Sequence, residues 1–275
     1  MLRSYNLTDE EFNNFRDIVF RESGIKLADV KKILVQSRLM KRLRALNMET
    51  FSDYYTYLIE NFDEEKINFI NSITTNKTDF FRENDHFEYL KSYILPSFEE
   101  KGEGEIRIWS AGCSTGEEPY TIGITLHEYF KGKKSPNFKI LATDIDTQVL
   151  EKGVNGVYTQ EQVGIIDEKI LKSYFLKGTG ENSGFFKVKD FLKKTVFFRR
   201  LNLLAEDYPM KKKFDVIFCR NVIIYFDKET QKKLFDNFSR YLKDDGYLLV
   251  GHSENISSVT DKFYLAGRTI YRKVV

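Results

Sequence analysis

Cysteine is scarce in this chain, with two residues in 275, and the pair, Cys113 and Cys219, stand far apart with no metal-ligand spacing. That excludes a disulfide framework and agrees with a reducing, cytoplasmic setting. Long apolar runs are missing as well. No stretch approaches the roughly 18 apolar residues of a membrane span, and Met1 to Glu10 lacks the apolar centre of a secretory signal. Nor does one charge dominate: 43 Lys and Arg against 41 Asp and Glu leave a formal net charge of +2, without the basic excess of a general nucleic-acid binder. A soluble, monomeric, cytoplasmic protein is expected, with no metal, no nucleic-acid partner and no membrane insertion. At 275 residues it is long enough for a proper core and for two domains.

What the chain does contain is organised around Ile106-Arg-Ile-Trp-Ser-Ala-Gly-Cys-Ser-Thr-Gly-Glu-Glu-Pro-Tyr120. A β-branched and aromatic run ends at Gly112 and Gly116, and an amphipathic pattern follows at once through Ile122, Ile124 and Leu126, with Pro119 in the first turn. This reads as strand, glycine turn and helix, the junction at which open α/β sheets hold nucleotide-like ligands, with glycine letting the ligand reach the backbone. Glu117 and Glu118 favour the helix N-terminus but would repel a phosphate, so the expected ligand is cationic or rich in hydroxyls. S-adenosylmethionine, with an ammonium, a sulfonium and a ribose, fits. The strand Phe138 to Asp146 ends in carboxylates, and Asp144 is the candidate acceptor for a ribose diol.

Residues 1–75 read as a helical domain. Thr8 and Glu11 form a capping-box signature, and further helices are expected over 30–46, 51–61 and 63–73. Lys31, Arg38 and Arg42 fall on one stripe of the second helix, either a solvated face or a docking stripe for an acidic partner. Residues 76–98 read as a linker and helix, and 99–275 as a doubly wound sheet domain. Within the latter, 155–195 breaks the rhythm. Its turn-rich centre, Gly178 to Gly184, predicts an inserted β-hairpin, either decorative or an edge open to a partner strand. The chain is expected to close with a strand over 263–275.

Five segments, Asn76 to Glu83, Trp109 to Tyr120, Ala142 to Asp146, Phe218 to Phe226 and Gly251 to Asn255, together resemble the CheR-type chemotaxis receptor glutamate methyltransferases over nearly the whole length. The resemblance implies an α/β fold: a small helical domain plus a Rossmann-like S-adenosylmethionine methyltransferase domain with an inserted β subdomain. It implies cofactor contacts from Asn76, Thr78, Arg82, Glu118, Asp144, Asn202, Leu203, Arg220 and Asn221, with Tyr225 beside the reacting methyl. It also implies that the stripe of Lys31, Arg38 and Arg42 faces the methylation region of a chemoreceptor. Members that tether to a receptor's C-terminal peptide tend to have arginine where this chain has Lys177, and lysine lacks that planar fork.

The implied reaction moves a methyl group to a receptor glutamate side chain, giving a methyl ester and S-adenosylhomocysteine, for adaptation in chemotaxis. A glutamate with a pKa near 4.3 is ionised at neutral pH and needs no general base. Arg82 and Tyr225 are the expected catalytic pair, Arg82 holding either the incoming carboxylate or the cofactor's own. A silent cofactor sensor in a signalling array is the alternative. Retention of Arg82, Glu118, Asp144, Asn221 and Tyr225 argues for the enzyme.

Overall fold

In the computed structural model, which describes residues 6–102 and 104–274, Thr8 opens the first helix with its side chain and Glu11 capping each other reciprocally. The first five residues of the N-terminal stretch, and the last residue of the expected closing strand, lie outside that range. Helix α1 (Asp9–Ser23) stops at Gly24, whose φ of 69° is left-handed. After a 3₁₀ turn at Asp29–Lys31 come α2 (Lys32–Ala45), α3 (Phe51–Glu60) and α4 (Phe62–Ile73). Phe15, Val19, Leu39, Leu43, Tyr54 and Phe69, on apolar stripes of these helices, form their shared core. Each such side chain contributes about 1.5–3 kcal/mol on burial, which is what holds helices this short.

The expected helix running to Phe98 is longer and interrupted: α5 (Asp85–Tyr89), a π-helical turn over Leu90–Ile94, and α6 (Leu95–Lys101) with Pro96 in its first turn. The main sheet has seven strands: β1 (Glu105–Ala111), β2 (Asn137–Asp144), β6 (Val196–Arg200), β7 (Phe214–Cys219), β8 (Leu242–Val250), β9 (Phe263–Gly267) and β10 (Ile270–Lys273). Their spatial order is β6-β2-β1-β7-β8-β10-β9. All run in one direction except β10, which lies between β8 and β9 and is antiparallel to both. The single closing strand expected from sequence is thus a pair, β9 and β10, joined through a turn at Arg268 and Thr269. Alternation along β1 sends Ile106 and Ile108 to one core, under α5, α6 and α7 (Glu117–Phe130), and Trp109 and Ala111 to the other, under α12 (Lys228–Tyr241).

Between α8 (Thr147–Asn155) and β6 lies the insertion. It is a three-stranded antiparallel sheet, order β3-β5-β4, rather than a lone hairpin: β3 (Val157–Thr159) and β4 (Phe175–Lys177) both pair with β5 (Phe185–Val188). Short helices α9 (Gln160–Val163), α10 (Glu168–Tyr174) and α11 (Asp190–Lys193) complete it. It is packed onto the glycine turn, since the Tyr158 hydroxyl donates to the Thr115 carbonyl at 2.8 Å and Phe80 meets the Tyr158 and Phe175 rings edge-on. Among the described residues no helix is long and apolar enough to cross a membrane.

Candidate active site

The helical domain is tied across the carboxyl ends of the parallel strands. On one side the Asn71 amide donates to Thr147 Oγ1 at 2.9 Å, and Thr74 and Asn76 each donate to Asp146 at 2.7 Å. On the other, Asn202 Nδ2 donates to the Glu22 carbonyl and the Lys26 amide to the Tyr225 carbonyl, both at 2.8 Å. Gly24 sits under Leu204, whose methyls are 2.9 Å from where a Cβ would be. Between these ties lies a cavity of about 290 Å³ at the point where the strand order reverses, between β1 and β7. Every residue expected from sequence lines it except Arg42: Asn76, Thr78, Arg82, Glu118, Asp144, Asn202, Leu203, Arg220, Asn221 and Tyr225, with Lys31 and Arg38 among the lining residues too.

The floor comes from the strand ends. Gly112 and Gly116, at φ 81° and 98°, make the turn after β1. From sequence they are expected to make room for a ligand, but protein packing requires them: a Cβ on Gly112 would lie 2.4 Å from Val222 Cγ2, and one on Gly116 would lie 3.0 Å from Gly153 Cα. The two adjacent carboxylates also part company. Glu117 is buried and turns towards the inserted sheet, accepting from Thr115 at 2.6 Å and Gln162 at 3.1 Å. Glu118 faces the cavity, accepting from Ser110 Oγ at 2.7 Å with Arg220 Nη1 at 3.4 Å. Burial pushes the Glu118 carboxyl above its ordinary range against the opposing pull of Arg220 and Ser110. Asp144, at the end of β2, accepts from the backbone amides of Ser114 at 2.9 Å and Asp146 at 3.0 Å, and burial still lifts it to about 6.

Arg220 follows β7 and its side chain is 2 % exposed. It spans Glu83 Oε2, at 3.2 Å, and Glu118, and also donates to the Arg82 carbonyl. Asn221 is left-handed at φ 58°, with its amide held by Glu254 Oε2 at 2.9 Å, so the loop that places Tyr225 is pinned by a buried carboxylate. Arg82 donates to the Lys77 carbonyl at 2.9 Å and has no carboxylate within ion-pair distance among the described residues. Its guanidinium is therefore available to an anionic group in the cavity.

The basic stripe expected on the second helix divides, with Lys31 in the 3₁₀ turn ahead of α2. Lys31 is exposed at the cavity rim. Arg38 donates to the Ile73 carbonyl and to Thr75 Oγ1 at 3.0 Å, and burial lowers its pKa. Arg42 points elsewhere, into a pair with Glu65 on α4 (Nε to Oε1 2.7 Å), a carboxylate 2 % exposed and also held by Tyr54 at 2.8 Å. In the helical wheel the three share a face, but the wheel cannot show which end of the helix overhangs the cavity.

Two rim cations escape sequence reasoning: Lys26 and Lys77, exposed and cavity-lining, lie in loops with no periodicity to mark them. The histidines take no place in the cavity lining. His86 is fully buried and held down to about 4, first by burial and then by Arg220, while His252 reaches Asp85 at 2.8 Å. Glu83, His86 and His252 bring ligand-type atoms within 4.8 Å of one another, but Arg220 already supplies the positive charge beside Glu83.

A cavity lined by two carboxylates, Glu118 and Asp144, and by the Arg82 guanidinium suits a ligand carrying hydroxyls, an ammonium and a carboxylate. Two family models cover the chain: the CheR methyltransferase all-alpha domain matches residues 10–74, and the CheR methyltransferase SAM-binding domain matches residues 76–272. The chain belongs to the CheR methyltransferase family. It is 44% identical to a chemotaxis protein methyltransferase of Borreliella burgdorferi over 98% of this chain and 95% of that one. With the Escherichia coli protein of the same description it shares 43% identity over 96% of this chain and 91% of its relative. As a CheR methyltransferase it is an enzyme with a binding domain for S-adenosylmethionine. The two family matches meet at residues 74–76, where Thr74 and Asn76 bond Asp146, so the joint between the CheR domains is itself part of the site's frame.

Proposed function

We propose that this enzyme methylates glutamate side chains in the cytoplasmic methylation region of chemoreceptors, giving γ-carboxyl methyl esters for adaptation in chemotaxis. One observation carries the reading: a single cavity combines the acceptors Glu118 and Asp144 with a guanidinium, that of Arg82, which pairs with no carboxylate among the described residues, and a rim of exposed Lys26, Lys31 and Lys77. Such a rim suits an acidic protein segment and raises its rate of encounter more than its final affinity.

Bound in the cavity, S-adenosylmethionine supplies a methyl group on a positively charged sulfur. Asp144 would accept from ribose hydroxyls and Glu118 from a hydroxyl or the ammonium, while Asn76, Thr78, Asn202, Leu203, Arg220 and Asn221 wall the site. The receptor glutamate arrives ionised, so no residue has to remove a proton, in keeping with a cavity whose lining holds no histidine. Arg82 and the rim lysines orient that carboxylate, and Tyr225 narrows the path to the methyl carbon. Alignment of this kind is able to supply roughly 7–11 kcal/mol of the barrier.

The test is transfer of labelled methyl from S-adenosylmethionine to chemoreceptor-containing membranes, followed by mild base. Volatile methanol released by base establishes a carboxyl ester. Label that stays bound to protein, or no transfer alongside clear cofactor binding, overturns the assignment of substrate.

A further inference from the structure

Glu83 is absent from the residues assigned to the cofactor, yet the two ends of its carboxylate hold two residues that are. Its Oε2 lies 3.2 Å from Arg220 Nη2 and 3.4 Å from Nε, and its Oε1 accepts from Asn221 Nδ2 at 3.2 Å. The backbone of Glu83 is left-handed, φ 53°, a conformation that non-glycine residues adopt at a cost of order 1 kcal/mol or more. Something in the fold has to hold it there, and these three contacts do so.

On its other side the same guanidinium meets Glu118 through one contact, Nη1 to Oε2 at 3.4 Å. Arg220 is thus shared unequally: two nitrogens to Glu83, one to Glu118. Its side chain is 2 % exposed and lies 5.4 Å over the Phe87 ring, so water does little to screen its interactions with the two carboxylates. Two carboxylates share this one guanidinium, and the partner less well bound to it keeps more of its negative charge uncompensated by Arg220. That partner is Glu118, the one lining the cavity. Were Glu83 neutral, a bidentate pairing of Arg220 with Glu118 would be the lower-energy arrangement, and it would consume the lone pairs that face the ligand.

We propose that Glu83 is a positioning residue: it draws Arg220 away from Glu118, so that Glu118 keeps an acceptor oxygen and a negative charge for the bound cofactor. This rests on the reading of the cavity as the cofactor site. The charged and polar groups around Glu118 are Arg220 after β7, Glu83 and Arg82 from the linker, and Ser110 on β1. Glu83 shares Arg220 with it through two nitrogens, one of which, Nη2, also donates to the Arg82 carbonyl.

The experiment compares wild type, Glu83→Gln, Glu83→Asp, Glu118→Gln and the Glu83→Gln/Glu118→Gln double variant by calorimetric titration with S-adenosylhomocysteine and by steady-state kinetics. Melting temperatures are taken without ligand. Glu83→Gln is expected to raise the Kd, and the KM for S-adenosylmethionine, by about tenfold while kcat changes by less than about twofold. Glu83→Asp, keeping the charge, recovers part of the loss. In the Glu118→Gln background the same substitution costs less than about twofold, because the effect runs through Glu118. A wild-type Kd in Glu83→Gln, an undiminished effect in the Glu118→Gln background, or a parallel fall in kcat and melting temperature overturns the role. Failure of the wild type itself to bind S-adenosylhomocysteine overturns the cofactor reading and the Glu83 role together, and so tells the two failures apart.

Discussion

Asp144 is the residue whose chemistry is easiest to test. Its carboxyl is lifted to about 6 by burial, so in the free enzyme it is ionised above that pH and protonated below it. The ionised carboxylate, a stronger acceptor of hydroxyl hydrogen bonds than the protonated acid, is present only on the alkaline side. Cofactor affinity should be level above about pH 7 and fall towards tenfold per pH unit below about pH 6. In Asp144→Asn the pH dependence should flatten and the affinity stay low throughout, as isothermal titration across pH 5 to 8 checks. Arg82 invites a different measurement. Since it has no carboxylate partner among the described residues, Arg82→Ala should lower kcat on the order of 100-fold with cofactor saturating. A loss confined to cofactor affinity reassigns its guanidinium to the cofactor's own carboxylate. At this scale the sequence was informative wherever site residues sit inside contiguous motifs, as Arg82, Asp144 and Asn221 do. Glu83 lay within such a motif but its partner Arg220 is 137 positions away, and no spacing rule joins them.

Among the elements, periodic helices and long apolar strands were legible, whereas β3, with three residues, was too short to carry a pattern. The π-helical turn at Leu90–Ile94 leaves the apolar spacing almost unchanged and so passes for ordinary helix. Two substitutions probe the frame rather than the chemistry. Gly112→Ala combines a left-handed backbone with a Cβ 2.4 Å from Val222, and should cost about 2 kcal/mol or more in denaturant unfolding. Arg42→Ala leaves the buried Glu65 without its cation and should destabilise the protein by about 3 kcal/mol while hardly changing receptor KM. A normal unfolding midpoint combined with a raised receptor KM would instead return Arg42 to a docking role.

At the scale of the whole molecule, the near balance of charge over 275 residues conceals a local excess. Lys26, Lys31 and Lys77 come from separate segments and converge on one rim only in the folded protein, which is why composition reveals nothing of them. Replacing all three by glutamine should raise the receptor KM about tenfold at low salt and flatten its dependence on ionic strength, with cofactor affinity little altered.

The cavity has one further property, inherited from having its floor in one domain and its roof in another. Asn202 to Glu22, Lys26 to Tyr225, and Thr74 and Asn76 to Asp146 act as latches on opposite sides of it. Release of the spent cofactor is expected to require those latches to open, a step able to limit turnover. Added microviscogen should then slow kcat in proportion, and severing one latch with Asn202→Ala should make the enzyme less sensitive to it.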